Sequence, residues 1–247
     1  MGLPRISIAA KLLKEENKMD FQHHVMVVTK YIYAIVRGTI CFWLGNIPYI
    51  FLLLNLFQAE NADEIWTLLI TGLVLIPFIL APSITACLAV TRKFFIQEDS
   101  SFPLLLTFIT AYKKEYKKSV AIGIGFAVSL GLFLLSWQYY TRILGTTGNI
   151  FLVFSGLLSY MFLMVLNLIN DQFLSIRDYI RNSFYLTIGY PFLSLTGMVE
   201  VALIFYITYL LSPSLLILVT PGTVLLLTTY LFRNLLKLEQ ENQQTNR

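Results

Sequence analysis

Long uncharged apolar runs alternate along this chain with shorter stretches in which apolar and basic residues share a helical period. That alternation predicts membrane-crossing helices linked by amphipathic surface helices. Residues 65–119 set the pattern: an apolar run at 65–90, then Arg92-Lys93, then a basic stretch, then the charge-free run that begins at Val120. At about 1.5 Å per residue, 65–90 exceeds the ~30 Å of bilayer hydrocarbon even when tilted. Pro77 and Pro82 interrupt it, each without a backbone donor, so a kink is expected there.

The same reading gives six spans, at 38–57, 65–90, 120–140, 149–169, 185–211 and 215–232. Asn46 and Pro48 break the first, and Gly189, Pro191, Gly197 and Glu200 fall in the fifth. Amphipathic surface helices are expected near 21–36, 102–117 and 172–184. In the first, Phe21, Val25, Val28 and Ile32 follow one face, while His23, Lys30 and Arg37 follow another. Gly123, Ala127 and Gly131 place small residues at four-residue steps in the third span, a spacing that lets helix backbones approach closely. The fold class is therefore all-α: a polytopic membrane bundle of six transmembrane helices with amphipathic cytoplasmic surface helices. An N-terminal segment at 1–20 precedes a single membrane domain at 21–232, and a polar tail at 233–247 is expected to fray.

Charge supplies the orientation. With six spans and both termini on one side, that side collects all but Arg142 of the 18 Lys and Arg residues. The positive-inside rule then makes both termini cytoplasmic. Composition agrees with membrane residence, since 57% of residues are hydrophobic and only 13% charged, with a mean hydropathy of +0.70. The net charge of +4 is explained by loop orientation rather than nucleic-acid binding. The basic amphipathic stretches suit anionic lipid headgroups, and the apolar surfaces suit a membrane-protein partner or a homo-oligomer. Residues 1–20 contain no signal-peptide core, and Ile6 stands where a myristoylation pattern requires Ser or Thr.

Two polar constellations interrupt the apolar pattern. Glu200 falls near the middle of its span, where an acidic residue costs about 2.5–3.5 kcal/mol on insertion scales. With Asn46 it forms a candidate intramembrane polar site, read either as a protonatable group on a solute path or as a hydrogen-bonding contact with another helix or subunit. Asn167, Asn170 and Asp171 share one helical face at the end of the fourth span, and with Arg177 and Arg181 they form a candidate cytoplasmic polar mouth. A helix cap with surface ion pairs is the plainer alternative. No zincin pair, phosphate-binding Gly-rich loop or Ser-His-Asp set occurs in suitable context, so no enzyme activity, metal or cofactor is expected. His23-His24 lacks further ligands nearby in sequence, and Cys41 and Cys87 read as free thiols.

Ile76-Pro77, Ala81-Pro82-Ser83-Ile84-Thr85-Ala86, Thr91-Arg92-Lys93, Glu98-Asp99 and the basic stretch from Phe108 to Ser119 occur in an order that resembles the YesL-like family of bacterial membrane proteins of unknown function. The resemblance extends loosely from Val36 through the sixth span and implies a bacterial cytoplasmic-membrane protein, of a family often associated with carbohydrate-uptake loci. It implies no catalytic residues. The resulting expectation is a non-catalytic accessory or assembly partner; a small-solute or ion-coupled transporter using Glu200 is the alternative.

Overall fold

A computed structural model describes residues 4–97, 102–172 and 174–245, with side chains described from Val25 onward except at 97, 213, 242, 243 and 245. The side chains of His23 and His24, and residues Glu98, Asp99, Phe173 and Arg247, lie outside the described residues. All regular structure among the described residues is helical: α1 (Pro4–Gly45), α2 (Ile47–Gln58), α3 (Ala62–Leu75), a π-turn (Ile76–Leu80), α4 (Ala81–Gln97), α5 (Leu104–Leu144), a 3₁₀ turn (Gly145–Asn149), α6 (Ile150–Asp171), α7 (Ile176–Gly189), α8 (Pro191–Leu211), α9 (Pro213–Leu218) and α10 (Thr220–Thr245).

Among the described residues, four segments are long and apolar enough to cross a membrane: Val25–Gly45, Ala62–Ile96, Leu104–Asp171 and Pro191–Leu211. The third contains both α5 and α6, joined through the 3₁₀ turn. The expected first and sixth spans are not single helices. One is divided at Asn46 between α1 and α2, the other at Val219 between α9 and α10.

Two of the expected surface helices are also not separate. The stretch at 21–36 runs directly into the first span as α1, and 102–117 runs into the third as α5. At 1.5 Å per residue the 41 residues of α5 extend about 62 Å, twice the hydrocarbon thickness, so its basic half projects beyond the bilayer as the same rod. Nothing in 117–120 breaks a helix: the sequence Lys-Lys-Ser-Val carries neither Gly nor Pro. Only the third surface element, α7, stands apart, capped by Ser175, whose hydroxyl accepts from the Asp178 N–H at 3.3 Å and donates to the Asp178 carboxylate at 2.6 Å.

The centre of the bundle is α4. Its first eight residues, Ala81 through Leu88, are all buried. They are small or hydroxylated for the most part, which lets neighbouring helices close in, and with Thr91 they supply a hydrogen bond to each of four neighbours. Asn46 Nδ2 donates to Ser83 Oγ at 2.7 Å from the α1–α2 break, and Ser119 Oγ of α5 donates to Thr85 Oγ1 at 2.9 Å. Asn170 Nδ2 of α6 donates to the Thr85 carbonyl at 2.9 Å, and Thr91 and Thr229 of α10 share a bond of 2.8 Å. In lipid such interhelical bonds average about 0.6 kcal/mol each, so the set positions four helices around α4 more than it drives association.

The proline break takes a particular form. The Ala81 N–H bonds back to the Ile76 carbonyl, closing a π-turn around Pro77. Gly123 of α5 is pressed against this turn: a Cβ there would lie 2.7 Å from Pro77 Cα and 3.0 Å from Ala81 Cβ. The small-residue face of α5 thus meets the irregular turn. Elsewhere, Gly222 of α10 lies so close to α1 that a Cβ would fall 2.5 Å from Thr39 Oγ1, and the Gly222 N–H donates to that oxygen at 3.1 Å. The helix extends well past residue 233 into the polar tail. α10 continues through Thr245, with Leu235 buried, and Tyr190 donates to the Glu239 carboxylate at 2.8 Å.

Candidate functional site

Polar side chains gather where the ends of α4, α5, α6 and α10 meet. Arg92, one turn past the buried run of α4, donates to the Asn170 carbonyl and pairs with the Asp171 carboxylate at 2.5 Å. Asn170 Nδ2 is engaged by the carbonyls of Thr85 and Leu166. Arg92 and Asn170 consequently form a partition with a cavity on either side.

The larger cavity, about 460 Å³, opens between α4 and α5, with Lys93 and Lys114 beside Ile96 and Leu106. Glu115 lines it too, although it is only 5% exposed. Its carboxylate lies 3.5 Å from Lys114 Nζ and 3.2 Å from Lys118 Nζ. The Oε2 atom faces Lys118 as a charge but without the alignment of a hydrogen bond. Lys118 also reaches the Tyr179 hydroxyl at 3.4 Å. Burial opposes the charge on Lys118, yet its contacts with Glu115 and Tyr179 outweigh that cost and raise its pKa above the ordinary lysine value. Tyr179 is fully buried; its hydroxyl donates to the Gln172 carbonyl at 2.5 Å and accepts from the Leu174 N–H at 3.1 Å, fixing α7 to the end of α6.

The smaller cavity, about 280 Å³, lies between α4, α6 and α10. Asn167, Asn170 and Asp171 form one wall, as the face read from the sequence requires, and fully buried Leu88 lines it as well. The cations differ from those expected. Arg177 and Arg181 do not line either cavity; Arg177 is exposed, and Arg181 pairs within α7 with Asp178 at 3.0 Å. Their place is taken by Arg92 and by Arg233 and Lys237 of α10. An i,i+3 partner on the same helix was available to Arg181 without folding, and it wins.

The intramembrane pair is not brought together. Asn46 is fully buried, with Nδ2 engaged by Ser83 and by the Phe42 carbonyl, between α1 and α4. Glu200 is exposed on α8, beside the outward stripe of Phe192, Leu195, Val199, Leu203, Tyr206 and Leu210. Its polar neighbour is Tyr160 of α6, near enough for an electrostatic effect. The Tyr160 hydroxyl is buried and, among the described residues, without a hydrogen bond, and it lies 2.7 Å from where a Cβ on Gly197 would be.

Two features escaped the sequence reading. Glu115 was detectable, because Phe108, Glu115 and Ile122 recur at seven-residue steps and all three are buried. Arg37, expected on a polar face, is buried: it donates to the Phe102 carbonyl at 2.7 Å and stacks on the rings of Phe102 and Tyr33. Those contacts replace hydration of the guanidinium. Cys41 and Cys87 are buried, unbridged, in one core cluster, and among the described residues no three His, Cys, Asp or Glu side chains converge as metal ligands.

A family model described as "Protein of unknown function, DUF624" matches residues 63–137, the portion that contains α3, the π-turn, α4 and most of α5. The match therefore covers the hub helix and the helix that closes on its π-turn. Neither the curated proteins nor the solved structures compared with this chain gave a match. Among its described residues the chain is all-helical and apolar, with several helices long and apolar enough to span a membrane, and its central hairpin is similar to a family without an assigned activity.

Proposed function

We propose that this protein is a non-catalytic accessory or assembly partner in a bacterial cytoplasmic membrane, with six crossings and both termini cytoplasmic. The observation that carries this reading is the outward position of Glu200 on α8. A solute path would require that carboxyl to face the bundle interior or a water-filled cavity. Here it lies among exposed apolar side chains, where a carboxyl in lipid calls for a donor from another helix. The six-crossing topology is supported by the basic side chains that α4, α5 and α10 bring to one end, as the positive-inside rule requires. Those side chains also suit contact with anionic headgroups. The YesL-like resemblance adds a carbohydrate-uptake system as the partner to test first.

The second reading, a small-solute transporter, draws on the π-turn at Pro77 and the breaks at Asn46 and Val219, since interrupted helices often surround transport sites. Native-membrane co-purification separates the two. The accessory reading expects a stoichiometric membrane partner that is lost on Glu200→Leu. Recovery of the protein alone, with solute flux in reconstituted liposomes, would establish the transporter instead.

A further inference from the structure

We infer that the cavity between α4, α6 and α10 is a binding site for a phosphomonoester group, held chiefly by Arg233 and Lys237. Three cations and one carboxylate line it, and the carboxylate is already committed: Asp171 pairs with Arg92 at 2.5 Å. Among the described residues, Arg233 and Lys237 are left without a paired carboxylate. They stand four residues apart on one face of α10, and among the described residues the only ring or ion contact of Arg233 is with Phe95, at 5.6 Å. Arg233 is half-buried, so its guanidinium has given up part of its hydration without gaining a carboxylate.

Two positive charges converging from one helix face match a phosphomonoester, which carries about −1.5 to −2 at pH 7. Arg supplies a fork for two oxygens and Lys a point charge for the third. The volume, about 280 Å³, falls just below the usual range of about 300–1,000 Å³ for ligand cavities and suits a small group. Arg92 does not release its partner to take part; together with the Asn170 carbonyl it forms a rigid wall. This inference is independent of the accessory reading, because it rests on α10 and not on α8.

The phosphomonoester could belong to a soluble compound or to a lipid headgroup, and one experiment separates the two. The full chain is placed in phosphatidylcholine nanodiscs, and glycerol 3-phosphate is titrated calorimetrically at constant ionic strength. Parallel discs contain phosphatidic acid. Arg233→Gln, Lys237→Gln and, as a control on α7, Arg181→Gln are compared. A charge-assisted hydrogen bond lost from either site residue should weaken binding about tenfold or more, while Arg181→Gln leaves it unchanged. Glycerol 3-phosphate binding that phosphatidic acid does not displace identifies a soluble ligand. Displacement by phosphatidic acid, with its retention lost in both site variants, identifies the lipid. If neither compound binds, or if all three variants bind alike, the site does not exist. Lys237 is exposed, so its variant keeps the test valid should Arg233→Gln fail to fold.

Discussion

Gly123→Ala is the most direct perturbation of the packing around the hub helix. The added methyl group would sit 2.7 Å from Pro77 Cα, 3.0 Å from Ala81 Cβ and 3.2 Å from Pro77 Cβ. The nearest of these is backbone, held in a π-turn whose closing bond runs from the Ala81 N–H to the Ile76 carbonyl. It cannot swing aside as a flexible side chain would, so α5 must move away from α4 along its most extensively packed length. Overpacking of this kind costs about 1–3 kcal/mol. Alanine recovers up to about 1 kcal/mol of that through helix propensity. Gly125→Ala supplies the reference, since a Cβ at Gly125 meets nothing within 4 Å and only the favourable propensity change remains. The two variants should therefore diverge by about 1–3 kcal/mol, with Gly123→Ala the less stable. Equilibrium unfolding by denaturant titration in mixed micelles measures both. If Gly123→Ala matched or exceeded Gly125→Ala in stability, the close approach of α5 to the π-turn would be wrong.

Other consequences can be checked on the same preparation. Tyr179→Phe removes the partner of the Leu174 N–H and the Gln172 carbonyl at a half-buried junction and should destabilise by about 0.5–1.5 kcal/mol, with faster amide exchange between α6 and α7. Glu200→Gln and Glu200→Leu should both leave the stability of the isolated chain in detergent nearly unchanged, because the side chain is exposed; a loss above about 1 kcal/mol in either would show an internal partner. Lys118 carries a raised pKa, so its contribution to stability is complete below the ordinary lysine pKa and disappears as pH rises through the higher folded value. An alkaline unfolding scan of wild type against Lys118→Met should converge only at that alkaline limb, and convergence near neutral pH would contradict the Glu115–Lys118–Tyr179 arrangement.

Much of this architecture could be read from the chain because membrane helices carry their own signals. The apolar run at 65–90, its two prolines and the small face of Gly123, Ala127 and Gly131 are local patterns, and they become α3, the π-turn, α4 and the face packed against them. The break at Asn46 was likewise visible beside Pro48. Partner choice was not. Asp171 could pair with any nearby cation, and only the packing of α4 on α6 selects Arg92 over Arg177 and Arg181. Arg233 and Lys237 were assigned to a polar tail because mean hydropathy falls there, yet Leu231, Phe232 and Leu235 keep α10 packed against its neighbours. Periodicity placed Glu200 in a span but not on a face, since α8 is apolar around nearly its whole circumference.

The central claim is that the outward face around Glu200 meets another membrane helix. A photo-crosslinking amino acid at Leu203, one turn from Glu200 on that exposed stripe, reports on this in native membranes. The account predicts a discrete crosslinked protein species, formed by the otherwise wild-type chain and by Glu200→Gln but lost on Glu200→Leu, which removes the hydrogen-bonding group. Crosslinks to lipid alone, unchanged by either substitution, would contradict it.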